Sequence, residues 1–104
     1  MKGYQQGDFL LISTDAIPDG AVCVPHAPRG CVVAEGEATG HAHVLDPATS
    51  EQFTAGGEYY VRVNEPNPLT HEEHDTQIIA PGVYRVGGVV EKDWLEDVTR
   101  RVVD

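Results

Sequence analysis

Basic residues are scarce in this chain. Seven Lys and Arg stand against seventeen Asp and Glu, giving a formal charge of −10, and a surface of that sign repels phosphates and anionic lipid headgroups. Direct nucleic-acid binding is therefore not expected. The charge instead suits cations, a basic protein partner, or mimicry of nucleic acid in a basic cleft, with plain solubility as its simplest use. Long apolar runs are also missing, so no membrane-spanning segment is expected. The opening "MKGYQQGDFLLIS" has only a short apolar run and no small-residue cleavage site after it, so no signal peptide is read there. A cytoplasmic location follows as the expectation. Cysteine is limited to Cys23 and Cys31, and in a reducing compartment a lasting disulfide would be unusual, so two free, buried thiols are expected.

What the chain does have is punctuation. Its 104 residues fit one domain, 1–104, able to bury a core without disulfides or metal, and eleven Gly and seven Pro are scattered along it as turn signals. Between dividers such as "IPDG", "APRG", "DPATS", "AGG", "EPNP" and "APG" lie short apolar runs: "DFLLIS", "AVCVP", "CVVAE", "HAHVL", "EQFT", "EYYVRVN", "TQIIA" and "VYRVGGVVE". Strand after strand at this spacing predicts an all-β domain, a small antiparallel barrel or sandwich. Alternation places Tyr59, Val61 and Val63 on a core face and Tyr60, Arg62 and Asn64 on the other, and sets His41, His43 and Leu45 opposite Ala42 and Val44. Trp94, Leu95, Val98 and Val102 follow helical spacing, and Asp93 with Glu96 matches a capping box, so a short C-terminal helix competes with an extended "TRRVV". No internal repeat, low-complexity stretch or linker interrupts the chain.

Four of the five histidines fall in two short segments, "GHAHV" from Gly40 and "THEEHD" from Thr70. Two residues apart on a strand, His41 and His43 share a face and are close enough to share an ion. His71 and His74 share a face in a helical turn and oppose each other in a strand; their flanks predict a turn just before a strand. Together the four imidazoles suit a transition metal, zinc or iron before copper or nickel, because neutral nitrogen ligands suit such ions better than calcium or magnesium. With an open coordination position, a bound water would approach a pKa of about 7, and Glu37, Glu72 or Glu73 could act as acid or base. Against this stands a bland alternative: histidines near turns bond backbone carbonyls and neighbouring carboxylates, which would leave a non-catalytic acidic interaction module with structural histidines. Its contact surface would be the Tyr60 and Arg62 face or the acidic C-terminal segment. Cys23 and His26 in "CVPH" lack the second pair a zinc ribbon requires. "VGGVV" fits a bulge or bend, not a phosphate loop. Open sheet edges could pair between copies, which makes a homo-oligomer a candidate state.

The segments "QGD" at Gln6 to Asp8, "GEATGHAH" at Gly36 to His43, "THEEH" at Thr70 to His74, "PGVYRV" at Pro81 to Val86 and the closing "RRVVD" resemble a family of small, uncharacterised bacterial and phage-associated proteins. The resemblance implies a compact, mainly β domain whose histidines are its most distinctive surface, and it brings no function with it. The chain departs from that pattern at "VVEKDW", where a more polar strand is expected. A looser likeness is to cupins, barrels with an HxH pair on one strand and a later His. The Glu that cupins place shortly after HxH is absent here, since "VLDPATSE" offers Asp46 and then Glu51, so this is analogy at the level of fold.

Overall fold

The computed structural model describes residues 3–35 and 40–87. Among the described residues ten strands run in chain order: β1 (Gly3–Gln6), β2 (Phe9–Ser13), β3 (Val22–Val24), β4 (Cys31–Glu35), β5 (Ala42–Leu45), β6 (Ser50–Ala55), β7 (Glu58–Val63), β8 (Asn67–Leu69), β9 (Gln77–Ile79) and β10 (Gly82–Gly87). Each of the eight apolar runs read from the sequence contains a strand, the last of them described as far as Gly87. Among the described residues the only helical element is one 3-10 turn, Pro47–Thr49. No helix there is long and apolar enough to cross a membrane. The expected C-terminal helix and the "VVEKDW" departure both lie outside the described residues.

Six strands form one antiparallel sheet in the order β1-β2-β10-β7-β6-β3, and two hairpins, β4-β5 and β8-β9, form the rest. The sheets are not closed into a barrel among these residues, so of the two architectures expected the sandwich is the one adopted. Alternation explains how it packs. Phe9 and Leu11 of β2, Val61 and Val63 of β7 and Tyr84 of β10 project from one side of the large sheet. They meet Cys31 and Val33 of β4, Leu45 of β5, Leu69 of β8 and Ile79 of β9 from the two hairpins. Buried apolar surface of this kind supplies the main driving force for folding. Strand β2 lies between β1 and β10, and its unbroken "FLLI" is buried on both faces, Leu10 and Ile12 included.

Two expectations about faces need correction. Tyr59 shares the parity of Val61 and Val63 but is 47% exposed, because near the β6–β7 turn the space between the large sheet and β4 opens to solvent. It lines a surface cleft with Val24, Val32 and Gln52 instead. Both cysteines are free, as expected, yet only Cys31 is buried; Cys23 is exposed on β3, at the edge of the sheet.

Two strands carry no apolar run and were not expected. β8 is "NPL" inside a segment that reads as a turn, with Asn67 and Leu69 fully buried and Pro68 between them half-exposed. Asn67 is buried because it replaces a missing ladder. Its Oδ1 accepts the Asp46 N–H at 2.8 Å, and its Nδ2 donates to the Asp46 carbonyl at 2.9 Å and to Thr49 Oγ1 at 2.8 Å. β1 is the polar "GYQQ", recruited by pairing with β2 across a two-residue turn, Gly7-Asp8, in which Gly7 takes φ +61°. Glycine at the first central position suits the type II′ hairpin turn.

Replacing Asn67 by Ala removes the acceptor of the Asp46 N–H and the donor to the Asp46 carbonyl and Thr49 Oγ1, leaves a cavity at a fully buried position, and breaks a tie between β8 and the turn after β5. We expect a stability loss of about 2–3 kcal/mol in urea unfolding; a loss under about 0.5 kcal/mol would show that the clamp contributes nothing.

Candidate functional site

The histidines meet because of a backbone register. Val44 on β5 and Thr70, just past β8, form an isolated antiparallel bridge, with Val44 N–H donating to Thr70 O at 3.0 Å and Thr70 N–H to Val44 O at 2.9 Å. Continuing that register carries His43 opposite His71, Ala42 opposite Glu72 and His41 opposite Glu73. Contacts at each step agree. The His43 and His71 ring centroids are 4.3 Å apart, Ala42 N–H donates to Glu72 Oε1 at 2.9 Å, and His41 Nδ1 lies 2.8 Å from Glu73 Oε1.

His74 joins from the bend that follows, its ring 4.7 Å from His71 and 6.3 Å from His43, while His41 meets His71 edge-on at 5.6 Å. All four histidines singled out in the sequence are thus brought together around His71. The expected turn before a strand is what His71 to His74 occupy, between Thr70 and β9. His26 takes no part in these ring contacts, and Glu37 lies outside the described residues.

The cluster rests on the β1–β2 hairpin. Phe9 stacks on His43 at 4.7 Å with planes 19° apart. Gly7 lies so close to His74 that a Cβ there would come within 2.5 Å of His74 Nε2; the same glycine that makes the turn makes room for the ring. Gln6, buried beneath, places Oε1 2.8 Å from His43 Nδ1 and donates Nε2 to the carbonyls of Leu69 and Asp75 at 3.0 and 2.9 Å. His71 Nδ1 accepts the Glu73 N–H at 3.0 Å.

Beside the rings, Arg29 donates to Gly40 O at 3.1 Å and to Glu72 Oε2 at 2.7 Å. Arg29, Ala42, Val44, Thr70, His71 and Glu72 line an open cleft of about 340 Å³. Gln6, Gly7 and Arg29 are site residues that composition and spacing did not single out for chemistry; "QGD" entered only through resemblance, and Arg29 only as part of a turn signal.

Charge in the site follows from these contacts. Burial, and then the neighbouring His71 and His74, lower the His43 pKa to about 4, against opposing pulls from Glu72 and Asp8. His43 is therefore neutral at pH 7. The Glu72 carboxyl is held below its ordinary range first by the Ala42 N–H, then by its own backbone N–H, Arg29 and His41. A carboxylate so engaged is a poor proton acceptor, which counts against Glu72 as a base. Glu73 stands behind His41 as a hydrogen-bond partner. Among the described residues no three His, Cys, Asp or Glu side chains present donors around one ion-sized point.

A sandwich with a histidine cluster on one hairpin edge is the class these features define. The chain belongs to DUF8820, a domain of unknown function, whose family model matches residues 5–88. That span includes Gln6, Gly7 and both histidine segments, and the match carries no cupin relationship. No curated protein and no solved structure matches the chain.

The lowered His43 pKa makes stability depend on pH. Between about 6.5 and about 4 the unfolded ring takes up a proton that the folded ring refuses, so this contribution is complete above pH 6.5 and lost as pH falls towards 4. Because the ring keeps some contact with water, we expect it to amount to about 1–2 kcal/mol. Unfolding at pH 7.5 and 4.5 in chelator should show a correspondingly smaller acid loss in His43→Asn; equal losses in both proteins would contradict the assignment.

Proposed function

We propose that the histidine cluster binds a transition metal ion, zinc or iron first among the candidates, with His41 and His43 as the primary ligands and His71 and His74 as companions. The observation that carries this is the gathering of four imidazoles from two distant segments onto one edge. Imidazole nitrogen is a favourable donor for zinc, iron, copper and nickel. The surroundings fit as well. His41 and His43 each have Nδ1 on an oxygen partner, Glu73 and Gln6, the arrangement by which ligating histidines are commonly held while the other nitrogen binds the ion.

His71 differs, because its Nδ1 accepts a backbone N–H. Ligation through either nitrogen requires it to change tautomer or to turn and release that bond, at a cost of about 0.5–1.5 kcal/mol, which is small beside metal–imidazole affinities.

A second reading is favoured by the same facts seen from the other side: the Nδ1 atoms of His41, His43 and His71 already have protein partners, and three donors do not converge as the side chains stand. On that reading the histidines organise loops in an acidic module that contacts a basic protein, and binding to such a partner would weaken with salt.

Titrating chelator-stripped protein with zinc, iron(II), copper(II) and nickel(II) separates the two. The metal reading expects saturable binding, a higher unfolding temperature with metal, and losses of affinity in His43→Ala and His71→Ala that are non-additive in the double variant. No saturable binding of any of the four ions, together with no effect of chelator on unfolding, would refute it and leave the module.

A further inference from the structure

We infer that Gln6 is a positioning residue that fixes neutral His43 as the Nδ1–H tautomer, so that Nε2 is the lone-pair nitrogen available to a ligand. The argument starts from the amide. An Asn or Gln side chain has one acceptor oxygen and two N–H donors, and which end is which must follow from its partners. Here one end of Gln6 faces two backbone carbonyls, Leu69 O and Asp75 O, at 3.0 and 2.9 Å. Carbonyls only accept, so that end is the NH₂ group and both its hydrogens are used.

The other end is therefore the oxygen, and it faces His43 Nδ1 at 2.8 Å. Two acceptors at that distance would repel, so Nδ1 must carry hydrogen. Turning the ring over is no escape, because it would set a carbon against an amide oxygen in a residue only 2% exposed, and a buried acceptor without a donor costs about 1–3 kcal/mol. Phe9 stacks on the ring at 4.7 Å and the tilted ring of His71 packs against it at 4.3 Å.

Gln6 also links the parts of the site. Leu69 and Asp75 bracket the segment that carries His71 and His74, so one buried amide holds the base of that loop closed while it orients the histidine on the neighbouring strand. The consequence for ligand binding rests on the metal reading; the tautomer does not.

The test has two arms. Long-range proton–nitrogen correlation spectra of nitrogen-15-labelled wild-type protein, in chelator at pH 7.5, should show His43 with a protonated Nδ1 and an unprotonated Nε2. This arm requires no variant to fold. Gln6→Met, close in size, without a donor and at most a weak acceptor, should shift His43 towards the Nε2–H form and lower zinc affinity by about 10–100-fold, the range for loss of a partner behind a ligating histidine.

An Nε2–H tautomer in the wild type or an unchanged tautomer in folded Gln6→Met would overturn the inference, and so, where the wild type binds zinc, would an affinity unaltered by the substitution. Wild-type protein that shows the Nδ1–H spectrum and binds no metal would refute the metal reading and support the assignment of Gln6.

Discussion

Two backbone hydrogen bonds, Val44 to Thr70 and back, set the geometry on which the site depends. Each is worth only about 0.5–1.5 kcal/mol net, yet register is an all-or-none property: a slip of one residue along a strand turns every side chain to the opposite face. With Val44 opposite Thr70, His43 meets His71 and His41 meets Glu73 on one side. On the other side, Ala42, Glu72, Val44 and Thr70 line the cleft with Arg29, and His71 borders it as well. Shifted by one, the same sequence would divide its imidazoles between the two sides. The core defends this register, because Leu45 and Leu69, immediately beyond the bridge, are both fully buried.

Four imidazoles can crowd together only if few of them carry charge. Rings with centroids 4.3 to 6.3 Å apart repel strongly once protonated, and burial adds a desolvation penalty to the innermost of them. His43, stacked on Phe9 and in contact with the tilted ring of His71, bears most of this and stays neutral. Acidic groups around the rim, Asp8, Glu72 and Glu73, give the neighbourhood the sign that attracts a cation. The net charge that makes phosphate ligands poor candidates is thus the charge that makes a metal ion or a basic partner a good one.

Much of the fold was legible in the sequence because burial and turn chemistry leave local marks. "FLLI", "YVRV" and "CVVA" alternate or run apolar as their positions in the sandwich demand, and glycine marks the tight hairpins. β8 was invisible for a physical reason: its stability comes from Asn67 clamping Asp46 and Thr49 and from one Leu, not from periodicity. Tyr59 misled because parity says which side a residue faces and not whether anything lies over it. The two histidine pairs were legible as candidates from spacing alone. Their meeting was not, since it depends on a bridge between residues 26 positions apart, and neither was Gln6, whose role exists only once three segments have closed around it.

The account stands or falls on whether the two segments hold this register in solution. Through-space contacts between ring protons test it most directly, in metal-free protein at neutral pH. Strong cross-relaxation between the His43 and His71 rings, and between the His71 and His74 rings, is the predicted result at their centroid separations of 4.3 and 4.7 Å. Rings of residues 43 and 71 that show contacts only to their own loops would contradict the shared register and with it the site.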